Sequence, residues 1–135
     1  MTAQMSRLEW LGMHLAFRDL LRLTHGEAAI LTHIIKKAPA VACYRGLEAA
    51  ARNASYHRVE TPTVSAVDLT KVYMHSVRSH IGDLVMHTRL AGVDTGFSFK
   101  IETVRNSGYR MSEADAAALI EVAKNHVAGC SEVAA

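Results

Sequence analysis

One stretch of this 135-residue chain alternates at period two. Phe97-Ser98-Phe99-Lys100-Ile101-Glu102-Thr103-Val104 sends successive side chains to opposite faces, which predicts a β-strand. Asn106-Ser107-Gly108 supplies turn chemistry soon after it, and Tyr109-Arg110-Met111 begins a return strand. The expected product is a β-hairpin. Before and after it the apolar residues recur mainly at helical spacing, so the fold class is expected to be α+β and mostly helical.

The clearest helix follows Leu23. Thr24-His25-Gly26-Glu27 is a capping box, in which the threonine hydroxyl accepts from the amide three residues on and the glutamate reaches back. Ala28, Ile30, Leu31, Ile34 and Ile35 make an apolar stripe, Lys36-Lys37 lie at the negative helix end, and Pro39 stops it. A helix over about 26–37 is predicted. Leu47, Ala50 and Ala51 indicate a second helix over 44–51, ending near Arg52-Asn53. Residues 54–63, with Pro62, read as a loop.

A third helix is expected over 64–84. Val67, Val72, Met74, Val77 and Ile81 supply its core side, and Lys71, His75, Arg78 and Ser79 fall mainly on the other face. Gly82-Asp83 marks its expected end, and residues 85–96 show no regular element. Ser112, with Asp115 three residues on, begins a last helix with Ala116, Leu119, Ile120, Ala123 and Val127 on its apolar side. The tail from Gly129 is expected to fray. The segment Arg7–Leu23 stays open: Leu8, Leu11, Leu15, Phe17, Leu20 and Leu21 fit a helix loosely, and Trp10–Phe17 fits short strands around Gly12 equally well.

Length suits a single domain with a core that needs no disulfide or metal staple. Half the residues are apolar and about a fifth charged, a globular composition. No apolar run reaches the ~18 residues of a membrane helix and no leader pattern is present, so a soluble, cytoplasmic protein is expected. Cys43 and Cys130 lie far apart, and two small buried or half-buried thiols in a reducing compartment are the expectation. Residues 1–111 carry 14 Lys+Arg and 9 Asp+Glu, a net of +5, whereas residues 112–135 are net −3. A mildly basic body with an acidic tail points weakly to a polyanion partner.

Three helices followed by a two-stranded hairpin is the layout of a winged helix-turn-helix, whose third helix enters the major groove and whose wing lies along the backbone or minor groove. Lys71–Ile81, KVYMHSVRSHI, resembles the recognition helix of the OmpR-type DNA-binding domain of response regulators. FKIETVRNSGYRM resembles that family's wing, whose usual form is Ile-x-Thr-Val-Arg-Gly-x-Gly-Tyr-Arg-Leu. LTHGEAAILTHIIKK and ACYRGLEAA are similar to its first and second helices. The resemblance covers about residues 23–111 in order, and the wing string is its most specific part. Asn106 stands where the family usually has glycine, and the stretch between Ile81 and Phe97 is longer than the family's link. Nothing resembles a receiver domain or its phospho-acceptor aspartate. The expected organisation is a stand-alone winged-helix body over 1–111, an additional helix over 112–128, and a tail over 129–135.

The resemblance implies a DNA-binding set. Arg78 is the expected guanine contact or phosphate clamp, since its forked donors suit either. Lys71 is expected to neutralise phosphate, and His75 and Ser79 share its helix face. Thr70 either touches phosphate or packs. Arg105, with Asn106 beside it at the hairpin tip, is expected to reach the minor groove or phosphate. Tyr109 and Arg110 either brace the wing or bind phosphate.

Eight histidines raise the question of metal. His75, His80 and His87 lack the i, i+4 placement of a helix-borne zinc pair, so no metal and no cofactor is expected. No GxSxG, Walker or dinucleotide motif is present, and no enzyme activity is expected. The leading expectation is a bacterial or phage transcriptional regulator that binds double-stranded DNA specifically. It would work as a homodimer, with RNA polymerase as a further partner, no membrane partner, and the nucleoid as its place when bound. The alternative is a winged-helix protein-interaction module without DNA.

Overall fold

The computed structural model describes residues 5–54, 65–92, 96 and 98–134, with side chains followed to residue 128. Among the described residues five helices and three short strands follow in the order α1 (Arg7–Leu21), α2 (His25–Lys37), β1 (Ala42–Cys43), α3 (Tyr44–Ala54), α4 (Ala66–Leu90), β2 (Ile101–Val104), β3 (Gly108–Met111) and α5 (Glu113–Ala134). The architecture is α+β and mostly helical. The expected loop beyond Ala54, the predicted helix start at residue 64 and the strand residue Phe97 lie outside the described residues.

Local chemistry sets the helix starts. Ser6 and Glu9 form one capping box at α1, with Glu9 N–H to Ser6 Oγ at 3.1 Å and Ser6 N–H to Glu9 Oε1 at 3.2 Å. Thr24 and Glu27 form the second at α2, at 3.3 and 2.8 Å. Ser65 accepts from Asp68 N–H at the head of α4, and Ser112 accepts from Asp115 N–H before α5. The open question at the N-terminus is thereby resolved: residues 7–21 are helical, and the signal was the Ser-x-x-Glu at 6–9.

Two expected boundaries are corrected. Helix α4 continues through Gly82 to Leu90. One exposed glycine in a helix interior costs only ~1 kcal/mol, and half-buried Leu84 and Val85 pack on the core beyond it. The stop is instead Gly92, at φ 79, a conformation glycine adopts without a Cβ penalty. The first hairpin strand begins at Ile101, later than the alternation suggested.

The core centres on α2, whose Ile30, Leu31, Ile34 and Ile35 are fully enclosed. Helices α1, α3 and α4 and the sheet all pack on it. On α4 the inward stripe is Thr70, Met74, Val77 and Ile81, a strict i, i+4, i+7, i+11 series. Val72 falls off that stripe and is 71% exposed, which corrects its expected place in the core. Ala116, Leu119, Ile120 and Ala123 of α5 join the same core, where α5 packs on α1. Val127 is exposed, and the α5 backbone stays helical to Ala134.

The sheet has the order β1-β3-β2, antiparallel throughout. In the hairpin Ile101 faces Met111, Glu102 faces Arg110, Thr103 faces Tyr109 and Val104 faces Gly108. The third strand, the two residues Ala42–Cys43 between α2 and α3, pairs with Tyr109 and Gly108. Gly108 has φ 154, and a Cβ there would run into the Ala42 carbonyl, so this close strand approach requires glycine. Cys43 is exposed, a correction to the expected burial, and its Sγ accepts from Gly46 N–H at 3.4 Å. No helix among the described residues is long and apolar enough to cross a membrane.

Candidate nucleic-acid interface

Helix α4 and the hairpin are locked together by one side chain. Arg78 sits on the flank of α4 nearest the sheet. Its Nη2 donates to the Ile101 carbonyl at 2.7 Å and to Thr103 Oγ1 at 2.8 Å. The guanidinium carbon lies 5.3 Å from the centre of the Tyr109 ring. Tyr109 is itself buried and meets Tyr44 of α3 edge-on, with ring centres 5.7 Å apart. Burial pushes the Tyr109 phenol above its ordinary range, with Tyr44 acting in the same direction, so it stays neutral. Arg78 and Tyr109 thus form a brace that sets the angle between helix and hairpin.

The exposed residues among the rest of the expected site separate into three environments. Lys71, His75 and Ser79 are exposed, one helical turn apart along α4. Arg105 and Asn106 are exposed at the hairpin tip. Asn106 has φ 61 at the third position of the turn closed by Ser107 N–H to the Val104 carbonyl at 3.0 Å. Asparagine tolerates that left-handed conformation, so the turn forms without the usual glycine. Arg110 is exposed and forms a two-pronged pair with Glu102 across the hairpin, at 2.9 and 3.2 Å. The arginine's hydrogen bonds hold the Glu102 carboxyl below its ordinary range. Such an exposed pair is worth little in stability, but it offsets the Arg110 charge.

Thr70 is placed differently from the exposed set. It is fully enclosed, and its hydroxyl donates to the Ala66 carbonyl at 2.6 Å. Of its two expected roles, the packing one describes its position, and the side chain is out of reach of a phosphate.

Three exposed side chains extend the candidate surface beyond the sequence reading. Val72 lies next to Lys71 on the outer face of α4. Arg89 and Lys100 join Arg78 around a cleft of about 730 Å³ between the second half of α4 and the segment leading into β2. Val72 was legible from the spacing, since the 70-74-77-81 stripe excludes position 72. Arg89 carried no such signal, because the helix was expected to stop before residue 89, and Lys100 stood only as one position of the alternating stretch.

Behind this face, Glu27 ties α2 to α4. Burial acts to raise its pKa, but hydrogen bonds from Ser76 and from Thr24 hold the carboxyl below the ordinary range. A carboxylate therefore persists at the buried head of α2. Among the described residues no group of three or more His, Cys, Asp or Glu side chains is placed to hold a metal ion. Comparison with protein-family models, with curated proteins and with solved structures finds no match to this chain.

Proposed function

We propose that this protein is a stand-alone winged-helix transcriptional regulator that binds double-stranded DNA sequence-specifically. The observation that carries the reading is the pairing of β1, from between α2 and α3, with β3 of the hairpin. In the winged-helix arrangement α2, α3 and α4 take the places of the three helices, and the β2–β3 turn is the wing. Helix α4 would enter the major groove with Lys71, His75 and Ser79 outward, and Val72 would supply an apolar contact of the kind that suits a thymine methyl. Arg105 and Asn106 at the wing tip would meet the minor groove or a phosphate. Arg78 would act on DNA through the brace, by fixing where the wing stands. Two copies on neighbouring half-sites would supply the surface that one such domain lacks.

The test is selection of bound fragments from a random DNA pool with the purified protein, followed by titration of the selected sequence at two salt concentrations. The reading expects a defined motif and affinity that falls steeply with salt. Recovery of no motif, with Lys71→Ala and Arg105→Ala both silent, would overturn it.

A second reading has one observation in its favour. Val72, Met86 and Leu90 are large apolar side chains left exposed on α4 at 71%, 63% and 79%. Such a face also suits a protein partner, with RNA polymerase as one candidate. A protein-interaction module would show salt-insensitive partner binding that Met86→Glu abolishes while leaving any DNA binding untouched.

A further inference from the structure

We infer that the cleft between the second half of α4 and the segment leading into β2 seats a phosphate strand of bound DNA. Arg89 and Lys100 clamp that strand, and Gly82 is its point of closest approach. This seat presupposes the DNA reading above and carries the contact surface past the helix end that the sequence suggested.

Helix α4 has 25 residues, about 37 Å at 1.5 Å per residue. The major groove winds around the duplex axis, so a straight helix of that length leaves it and runs over a bordering phosphate strand. His75, Gly82 and Arg89 recur every seven residues, which keeps them within about 40° of one another around α4. The face that holds His75 therefore continues beyond the groove for two more turns. With α4 in the major groove and the wing on the minor groove, the strand between the two grooves passes between α4 and the hairpin. The cleft lies there. Gly82 and Arg89 line its α4 wall, and Ser98 and Lys100 line the wall opposite.

Arg89 and Lys100 are both exposed, and long cationic side chains from two walls can close on one phosphate. Two acidic residues lie near. Glu102 also borders the cleft, with its carboxylate engaged by Arg110 at 2.9 and 3.2 Å. Asp83 is exposed about 120° around α4 from Arg89, on the flank away from the hairpin. Gly82 marks the same place independently of charge. It is exposed in the helix interior, and a Cβ there would meet no atom of the described residues within 4 Å. Glycine weakens a helix relative to alanine, and packing within the described residues does not call for it here. The missing side chain serves instead a backbone that approaches from outside the chain.

The intact protein is titrated against the duplex recovered by fragment selection, over a range of salt concentrations. Gly82→Ala, Arg89→Ala/Lys100→Ala and Lys71→Ala are titrated beside it. The double variant should reduce the slope of log affinity against log salt by about 2, since two phosphate contacts are lost. It should select the same motif as the parent, since phosphate contacts carry no base information. Gly82→Ala should melt at a higher temperature than the parent, through better helix propensity, yet bind the duplex at least about threefold more weakly. Higher melting with weaker binding separates a docking role from a structural one. A parental slope in the folded double variant, or parental affinity in Gly82→Ala, would overturn the seat. If Lys71→Ala then still lowers the slope, the DNA reading stands without it. Recovery of no motif by the parent overturns both.

Discussion

Arg78 on α4 lies 5.3 Å over the ring of Tyr109 on β3, and the same guanidinium donates to Ile101 and Thr103 of the neighbouring strand. The residue most suited by type to grip a base or phosphate is therefore engaged in positioning the hairpin. A charged donor on two oxygens combined with a ring contact is a stabilising arrangement even at a partly exposed site.

Arg78→Ala should lower stability by about 1–2 kcal/mol once solvent screening is allowed for, read from urea unfolding. On the DNA reading it should also weaken binding while leaving the salt dependence unchanged, because no phosphate contact is lost. Lys71→Ala should do the reverse. Its stability should stay within about 0.5 kcal/mol of the parent, and the slope of log affinity against log salt should fall by about 1. A slope change with Arg78→Ala would place its guanidinium on a phosphate instead.

Val72 and Met74 are two residues apart on α4 and opposite in environment. Val72→Asn should leave the melting temperature nearly unchanged, whereas Met74→Ala should cost about 2–5 kcal/mol through the cavity it leaves. Comparable losses at both positions would contradict the exposure of Val72.

Gly108→Ala should cost about 2–4 kcal/mol, since the new methyl meets the Ala42 carbonyl and the backbone sits at φ 154. Denaturant unfolding checks the size. Loss of the β1–β3 amide protection in hydrogen exchange checks the cause. An alanine variant as stable as the parent would show that β1 does not press on the hairpin.

Burial, followed by the charges of His25 and Arg18, lowers the pKa of His14. Burial, followed by Lys37 and Lys36, lowers that of His33. Both imidazoles therefore resist protonation in the fold more than in the unfolded chain, where histidine titrates near about 6.5. The unfolded state then binds more protons below that value, so stability should fall as pH drops through about 6.5 and level off once the folded-state rings protonate. Melting temperatures between pH 8 and 5 should show this decline, and His14→Gln/His33→Gln should flatten it. An unchanged profile in the double variant would refute the assignment. Glu27, held below its ordinary value, adds its own loss only at more acid pH.

Much of the fold was written locally. The Thr24–Glu27 box, the apolar spacing of α2, the alternation before Val104 and the Asn106-Ser107-Gly108 turn each depend on neighbours in sequence, and the helix and hairpin formed there, with the first strand confined to Ile101–Val104. The Ser6–Glu9 box was equally local and would have settled α1 as a helix. Charge was similarly legible, with the basic residues on the body and the acidic surplus on α5.

Other features depend on residues distant in the chain. Nothing in Ala42-Cys43 announces a strand, because two residues hold an extended form only when Tyr109 and Gly108 offer them hydrogen bonds. Gly82 was a plausible stop until packing of the following turns against the core outweighed its small helix cost. Arg78 looks like any exposed arginine until Ile101 and Thr103 arrive beneath it. The histidines give the sharpest case. Read along the chain, they are scattered and none has metal-ligand spacing, yet packing α1 on α2 brings His14 to 3.4 Å from His25 beside Trp10 and Lys36. Sequence alone determined the cores of α2 to α5, the hairpin and the distribution of charge, because capping, periodicity and turn chemistry act over a few residues. Only the tertiary structure decided which side chains brace the hairpin and which histidines meet between α1 and α2, because those contacts join residues 11 to 31 positions apart.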